Sequence, residues 1–254
     1  MVHGGHSPPQ SRDPRRIMTT LRPMPRDGAA TVDDVRLRSV VAVCAHPDDE
    51  SFGLGAVIDS LSAAGTSTAV LSFTHGEASR LHAAAGDLGV VRAAELAAAA
   101  AALMVSEVLL LDHADGALSG IELDILVDDV VRYATAVSAG GFLVFDVGGI
   151  TGHPDHQRAT EAALHAGERL NLPVIAWSIP AWVADSLNAE FGTRFAGRVE
   201  DEIDIRLRVD RGAQKRAIAL HTSQATDNPV LWRRLELLGD TEWLRWLRRP
   251  SAAS

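Results

Sequence analysis

The sequence predicts an α/β fold, a Rossmann-like parallel sheet with helices on both faces. From about residue 38 onward, short apolar runs rich in β-branched residues alternate with longer segments of helical character. The apolar runs are nearly continuous, which is typical of strands buried on both faces of a parallel sheet. Strands that are each followed by a helix form βαβ units, so we expect the core strands to run in the same direction.

Five segments are predicted as the strands of this sheet. Each is short and apolar, and each ends where polar or glycine residues begin. The predicted strands are residues 39–45, 66–74, 107–112, 141–147 and 173–179. Together with the helices between them, they define a predicted core over residues 38–180.

The segments between the strands have helical composition. Residues 89–104 are rich in alanine, the strongest helix former, and Gly65 closes the helix predicted before the second strand. The predicted helices are residues 55–65, 89–104, 122–137 and the segment 153–170, which begins as a loop.

After the fifth strand the rhythm changes, and a smaller C-terminal β/α extension is predicted over residues 181–254. Residues 199–210 alternate between polar and apolar types like an exposed strand, and residues 211–224 have a helical pattern. We therefore predict a single catalytic domain over residues 38–254. A disordered arm is predicted over residues 1–37, which contain prolines and basic residues but no apolar segment of a signal peptide.

Composition excludes several classes of function. The formal net charge of −9 argues against a nucleic-acid partner, since no basic stripe is present. No run of about 18 apolar residues occurs, so no membrane span is expected. Cys44, the single cysteine, lies inside an apolar strand and is predicted to be a buried structural thiol. One cysteine cannot form an internal disulfide, which favours the reducing cytoplasm as location. With no basic stripe and no membrane span, a small molecule is the expected partner.

Polar side chains are concentrated where the predicted strands end. HPDDE (residues 46–50) follows the first strand, and HPDH (residues 153–156) follows the fourth. In an open α/β sheet, ligands bind outside the carboxyl ends of the strands, at the point where the strand order reverses. The first and fourth strands commonly flank that point, so we expect the two His-Pro-Asp motifs to meet in one crevice.

The two motifs supply the ligands of a metal ion. Clustered carboxylates repel one another, and two imidazoles with one carboxylate and an open fourth position form a catalytic zinc centre. His46 and Asp49 lie three residues apart across a proline turn, so both can face one point, whereas Asp48 is free to act on a water molecule. His153 and His156 repeat this spacing; one of them binds the metal and the other faces the substrate.

Other interpretations of the motifs stay open. HPDDE also fits a helix N-cap, in which an aspartate accepts backbone N–H bonds, and HPDH also fits a surface turn leading into a helix. An N-cap explains one carboxylate, not three beside a histidine. Two histidines and one carboxylate also describe the facial triad of non-haem iron enzymes, although those usually have a β-barrel, which the alternation of strands and helices opposes.

AHPDDE (residues 45–50) together with HPDH (residues 153–156) resembles the signature pair of the LmbE/PIG-L superfamily of zinc-dependent N-acetylglucosamine de-N-acetylases. The resemblance runs from about residue 39 to 225 and includes HTSQ (residues 221–224). It implies a Rossmann-like sheet with a variable C-terminal part. It also implies a hydrolase that removes an acyl group, expected to be acetyl, from an N-acylated amino sugar or a related conjugate.

The resemblance implies a role for each matching residue of the two motifs. Asp48 is the expected general base. His153 is expected to stabilise the oxyanion or to protonate the leaving amine, with Asp155 orienting its ring. The ion is expected to be Zn²⁺, with other divalent metals compatible, and its expected ligands are His46, Asp49 and His156.

Substrate contacts are expected from the loops after the second and third strands and from the alanine-rich helix. The expected residues are Arg92, Glu77, His75 and Asp115. Two alternatives to an amino-sugar deacetylase stay open beside the iron enzyme: an amidase acting on thiol-sugar conjugates such as those of mycothiol, and a metal-containing protein that has lost catalysis. The retained Asp48 and His153 argue against the last, since a pure binder has no need of a base beside the water.

Overall fold

The computed structural model describes residues 37–80 and 86–249, together with Met1 and Val35. The predicted N-terminal arm therefore lies almost entirely outside the described residues. Within them, seven strands form one sheet. The strands are β1 (Ser39–Cys44), β2 (Ser67–Thr74), β3 (Glu107–His113), β4 (Phe142–Phe145), β5 (Val174–Ser178), β6 (Ile205–Arg208) and β7 (Thr241–Arg248).

The sheet has the strand order β3-β2-β1-β4-β5-β7-β6. The strands β1 to β5 pair in parallel, as predicted. The chain adds β2 and β3 on one side of β1 and then returns to add β4 and β5 on the other side. The switch point therefore lies between β1 and β4, where such sheets bind their ligands.

Helices cover both faces of the sheet, which confirms the predicted fold class. The helices are α1 (Asp49–Phe52), α2 (Gly55–Ala63), α3 (Leu88–Ala102), α4 (Leu123–Ala136), α5 (Gly149–Gly152), α6 (Pro154–Leu170), α7 (Ala181–Phe191), α8 (Gly212–Leu220), α9 (Thr222–Ala225) and α10 (Pro229–Leu238). In the part of the chain that the structure describes, none of the helices has the length and apolar character needed to cross a membrane.

The strand β1 separates two hydrophobic cores, because its successive side chains point to opposite faces. Val40 and Ala42 belong to the core under α2, α3, α7 and α8. Val41 and Val43 belong to the core under α4 and α6. This double burial explains why the strand is a continuous apolar run rather than an alternating one.

The C-terminal extension joins the main sheet. The strand β7 runs antiparallel to β5, and β6 runs antiparallel to β7 at the sheet edge. The exposed strand predicted over residues 199–210 shortens to β6, because Glu200–Glu202 forms a 3₁₀ turn instead. Ile205 and Leu207 in β6 are buried. The alternation of polar and apolar residues therefore arises because β6 is an edge strand with only one face covered.

Candidate metal centre

Both His-Pro-Asp motifs lie at the switch point, in turns that lead from a strand into a helix. In the first motif, Oδ2 of Asp49 accepts hydrogen bonds from the backbone N–H groups of Ala45 (3.0 Å) and His46 (3.1 Å). In the second, His153 is the N-cap of α6, and its Nδ1 accepts a hydrogen bond from the backbone N–H of Asp155 at 3.2 Å. Polar side chains of the motifs therefore fix the turns that present them.

Three donor atoms from the two motifs face one point of the crevice. Nδ1 of His46 lies 3.2 Å from Nε2 of His156, which lies 3.1 Å from Oδ1 of Asp49. The other carboxylate oxygen of Asp49, Oδ2, lies 3.9 Å from Nδ1 of His46. Zinc–ligand bonds of about 2.0–2.2 Å in a tetrahedron separate neighbouring donors by about 3.3–3.6 Å. The structure thus brings the three predicted ligands together at distances that suit one small cation.

Each imidazole is held by its other nitrogen. Nε2 of His46 lies 3.0 Å from Oδ1 of Asp115 and 3.4 Å from Oδ2 of Asp155. Nδ1 of His156 lies 3.2 Å from the carbonyl oxygen of Gly149. Carboxylate and carbonyl acceptors in this position fix the tautomer and orientation of metal-binding histidines. The donor set and its outer hydrogen bonds therefore fit a zinc ion.

The charges around the two rings also suit a divalent cation. Burial lowers the pKa of His46, but hydrogen bonds to Asp115 and Asp155 and the charge of Asp49 outweigh it and raise the pKa to about 10. Burial also lowers the pKa of His156, and Asp49 raises it above its ordinary value. The carboxylates thus favour positive charge at this point, and a divalent cation supplies it by displacing protons from the rings.

Asp155 has a different partner from the one predicted. The sequence predicts that its carboxylate orients His153, but the fully buried carboxylate contacts His46 and accepts backbone N–H bonds from Gly116 (2.7 Å) and Leu118 (3.1 Å). The reason is local: the first turn of α6 points this side chain under the loop after β3, and the hydrogen bond to His153 comes from the backbone N–H of Asp155. Although the donor atoms of His46, His153 and Asp155 also lie close together, Asp155 does not line the cavity and acts as an outer partner of His46.

Asp48 lies beside the donor set and lines the same cavity. Its φ is 111°, in the left-handed region, and its backbone N–H donates to Oε2 of Glu50 at 2.9 Å. Burial raises the pKa of Asp48, Arg92 lowers it and Asp49 raises it again, with a result of about 6. A carboxylate whose pKa lies close to working pH is suited to accept a proton and release it again.

Arg92 lines the cavity and also holds Asp48, so its role as a substrate contact stays a prediction. The side chain is buried, and its Nη2 donates to Oδ2 of Asp48 at 3.0 Å. Its Nη1 donates to the carbonyl oxygen of Gly76 at 2.6 Å, and Nη2 also donates to that of Pro47. The guanidinium is therefore committed to two loop carbonyls and the candidate base.

His153 faces the cavity as a neutral hydrogen-bond donor. Its ring centroid lies 4.9 Å from that of His46 and 5.0 Å from that of His156. Burial and the two neighbouring imidazoles hold the pKa of His153 below its ordinary value. Because Nδ1 accepts a backbone N–H, the proton of the neutral ring lies on Nε2. This tautomer suits the stabilisation of an oxyanion.

Of the remaining predicted substrate contacts, only Asp115 lines the cavity, where it also holds His46. Glu77 is exposed, and its Oε1 accepts the backbone N–H of Asp115 at 2.9 Å. Nε2 of His75 lies 3.0 Å from Oδ1 of Asp112. Neither Glu77 nor His75 reaches the cavity, because the chain turns between them at Gly76, whose φ is 65°. Both lie in the loops around the cavity, and their role as substrate contacts stays a prediction.

A buried ion pair below the site has no assigned role in the sequence-based prediction. Nε2 of His221 lies 2.7 Å from Oε1 of Glu50, and both residues are 0 % exposed. Burial lowers the pKa of His221, but the charge and hydrogen bond of Glu50 outweigh it and raise the pKa. Since Glu50 also accepts the backbone N–H of Asp48, the pair supports the turn that carries the candidate base. Glu50 lies in the motif HPDDE and His221 in the motif HTSQ, but no local sequence pattern predicts a contact between residues 171 positions apart.

The cavity in front of the donor set has a volume of about 500 Å³. Part of its wall comes from aromatic and apolar residues and from the C-terminal extension, which the sequence analysis did not assign to the site. These wall residues include Phe52, Phe145, Ile150, Trp177, Gln224, Asn228 and Arg234. A mostly apolar cleft with a few convergent polar groups is the usual form of a small-molecule site.

An open α/β sheet with two histidines and an aspartate at its switch point defines a metal-dependent α/β enzyme. The family model described as PIG-L, GlcNAc-PI de-N-acetylase, matches residues 41–167, half of the chain. The chain belongs to this family, which confirms the resemblance predicted from the two motifs.

Individual relatives agree with this assignment. The chain is 28% identical over 242 residues to the 1D-myo-inositol 2-acetamido-2-deoxy-α-D-glucopyranoside deacetylase of Salinispora arenicola, covering 77% of this chain and 79% of that protein. It is 33% identical over 156 residues to the deacetylase of the same name from Thermobispora bispora, covering 52% of each. In fold it resembles the N,N'-diacetylchitobiose deacetylase of Pyrococcus horikoshii, with a TM-score of 0.63 at 19% identity over 84% of this chain and 85% of that one.

Proposed function

We propose that this protein is a zinc-dependent deacetylase that hydrolyses the amide of an N-acetylated amino sugar or of a related conjugate. The observation that carries the proposal is the convergence of His46, Asp49 and His156 on one point, with the carboxylate of Asp48 beside them. The relatives support the reaction class, since they are named as deacetylases of an acetamido sugar joined to inositol.

Zn²⁺ is the ion that two imidazoles and one carboxylate favour, and His46, Asp49 and His156 would hold it. When bound, zinc supplies Lewis acidity towards an amide carbonyl and towards water. The histidines keep their ligating nitrogens directed at the ion because Asp115, Asp155 and a backbone carbonyl hold the opposite nitrogens.

Asp48 moves the proton of the reaction. Neutral water is a poor nucleophile, so the attacking water must lose a proton, and the departing amine must gain one. The carboxylate of Asp48 is oriented by Arg92 and by the hydrogen bond from its own backbone N–H to Glu50. It accepts the proton from the water and supplies a proton to the departing amine. General acid–base help of this kind contributes about 10²–10⁴-fold to the rate.

His153 stabilises the carbonyl oxygen of the amide as negative charge develops there. Its Nε2–H is the free donor of the ring, since Nδ1 is held by the backbone N–H of Asp155. A preorganised donor of this kind contributes about 10²–10³-fold to turnover.

The test is hydrolysis by the purified, zinc-loaded protein. N-acetylglucosamine, N-acetylglucosaminyl-inositol and N,N'-diacetylchitobiose are supplied, and free amine and acetate are measured in parallel. We expect both products in equal amounts, loss of activity with a chelator and recovery when zinc is returned. Absence of amine release from the whole panel, or release that a chelator does not reduce, would overturn the proposal.

Two alternatives keep distinct predictions. An amidase for thiol-sugar conjugates would use the same groups but cleave a larger acyl group, so activity on the conjugate would exceed activity on the N-acetyl sugar. A non-haem iron enzyme would consume oxygen, whereas a hydrolase does not. The five parallel strands of the core oppose the iron alternative, and a cytoplasmic location stays a prediction from the single cysteine.

A further inference from the structure

Arg234, on α10, is a buried cation in the wall of the cavity. Three arginines of the described ranges are buried: Arg92, Arg211 and Arg234. Arg92 pairs with Asp48, and Arg211 pairs with Glu242. Within the same ranges, Arg234 forms no ion pair with any carboxylate. It is therefore the one buried guanidinium in the described structure that has no carboxylate within salt-bridge distance.

The guanidinium of Arg234 is held in a fixed plane. Its Nη2 donates to the carbonyl oxygen of Phe52 at 2.7 Å, and its Cζ lies 5.1 Å from the ring centroid of Trp177. Its Nε is buried and finds no hydrogen-bond partner among the described residues. Because Nε is itself buried, the Nη groups are the donors that can reach a ligand in the cavity. A planar group held in this way is organised for a partner that accepts hydrogen bonds.

The carboxylates whose charges act most strongly on Arg234 already form hydrogen bonds or ion pairs with other groups. Glu242 accepts hydrogen bonds from Arg211 and from Nε1 of Trp177, the latter at 2.6 Å. Asp48 accepts from Arg92, and Asp49 is engaged in the donor set. Burial lowers the pKa of Arg234 to about 10, so the group is charged at neutral pH. An unpaired buried charge is strongly destabilising, and a ligand that brings a negative charge would compensate it.

We infer that Arg234 binds a carboxylate or phosphate group of the substrate, so that the preferred substrate is an N-acylated amino sugar, or a conjugate of one, that carries a negative charge. This inference rests on the proposed function for the reaction and adds the charge of the substrate. Sugar hydroxyls also accept hydrogen bonds from a guanidinium, but they leave its charge uncompensated. The carboxylates around the donor set repel an anion, so Arg234 also fixes which end of the substrate approaches the metal ligands.

Turnover of paired substrates tests the inference. N-acetylglucosamine is compared with its 1-phosphate, its 6-phosphate and its 3-O-lactyl ether, which place the anion at different positions. Hydrogen bonds to charged groups predict a kcat/KM about 10- to 100-fold higher for at least one anionic sugar than for the neutral one. Arg234→Gln brings this ratio close to one, and Arg234→Lys retains part of it.

Arg233→Gln is the matched control. It removes the same charge from the neighbouring position of α10, where Arg233 bonds Glu190 and Glu236 on the surface. The control should leave the ratio unchanged. A wild-type protein that turns over neutral and anionic sugars equally well overturns the inference, whatever the variants do. Equal losses on both kinds of sugar in Arg234→Gln also overturn it, because they indicate contact with hydroxyl groups only.

A binding measurement separates this inference from the proposed function. Calorimetry with glucosamine and glucosamine phosphates needs no hydrolysis. Phosphate-dependent binding that is lost in Arg234→Gln and kept in Arg233→Gln supports the anion site even if no amide is cleaved. Amide hydrolysis without any preference for an anion, in turnover and in binding, leaves the proposed function standing and overturns the inference.

Discussion

Replacing Asp48 with asparagine removes the candidate base while it changes little else. Asparagine has the same shape, and it tolerates positive φ better than most residues, so the backbone at φ 111° is kept. Its amide oxygen can still accept the hydrogen bond from Arg92. The metal ligands are untouched, because Asp48 contributes no atom to the donor set of His46, Asp49 and His156.

The expected loss follows from the role. General base catalysis contributes about 10²–10⁴-fold, so kcat should fall by that factor, equivalent to about 2.7–5.5 kcal/mol of activation free energy. The buried guanidinium of Arg92 loses a charged acceptor but keeps two carbonyl acceptors. We therefore expect a loss of about 1–2 kcal/mol in the free energy of unfolding, too small to explain the loss of turnover.

The assay combines amine release with metal content on the same preparation. Asp48→Asn should retain one zinc per chain and lose turnover. Asp49→Asn is the matched comparison, since it should lose zinc as well. If Asp48→Asn loses the metal, the two aspartates have been assigned the wrong roles. If it keeps more than a tenth of wild-type kcat, the proton is taken by another group.

Three more substitutions address the supporting contacts. Gly76→Ala places a Cβ 2.2 Å from the guanidinium that orients the base, so kcat should fall at least about 10-fold. The control is Gly192→Ala, at a similar φ of 67° in open space, which should lower only the free energy of unfolding, by about 1 kcal/mol. Equal kcat values in the two variants would contradict this prediction. His221→Leu leaves Glu50 buried without its partner and should lower the free energy of unfolding in urea by about 3–5 kcal/mol; a loss below about 1 kcal/mol would show that the pair contributes little. Burial raises the pKa of Asp146, but hydrogen bonds from two arginines and a serine outweigh it and hold the pKa below its ordinary value. Its contribution to stability is therefore present above the unfolded pKa of about 3.9 and lost as the pH falls through the folded value, so Asp146→Asn should reduce the acid-side slope of the unfolding free energy, and an unchanged slope would refute it.

The core strands could be predicted from the sequence because burial on both faces imposes a distinct local pattern of residue types. A strand covered on both faces must be apolar throughout, and each predicted core strand overlaps an observed one. The C-terminal extension gives a weaker signal. Its helix α10 and strand β7 mix tryptophan, leucine and arginine, since each contacts both core and solvent. No single periodicity identifies such segments.

The metal ligands are readable for a different reason. His46 and Asp49 are close in sequence, and the strand that precedes them fixes where they point. Arg234 carries no such signal: it reaches the cavity through a contact to Phe52 that spans 182 residues. A residue whose role depends on a distant backbone contact cannot be found from local spacing. The partner of Asp155 was mispredicted for the same reason, because a loop from another strand contacts its carboxylate.

Backbone strain connects the two motifs to the site. Among the described residues, Asp48 (φ 111°) and Ile150 (φ 60°) are non-glycine residues in the left-handed region that line the cavity. For a β-branched residue such as Ile150 this conformation is a true outlier. Strain of this kind persists only where surrounding contacts fix it. Here those contacts exist: Glu50 holds the turn at Asp48, and Ile150 is buried with its carbonyl oxygen accepting the backbone N–H of Ala196 at 2.8 Å. The residues with unfavourable backbone conformations therefore lie in the two turns that direct the candidate base and the histidines of the second motif towards one point. The proposed chemistry requires this convergence.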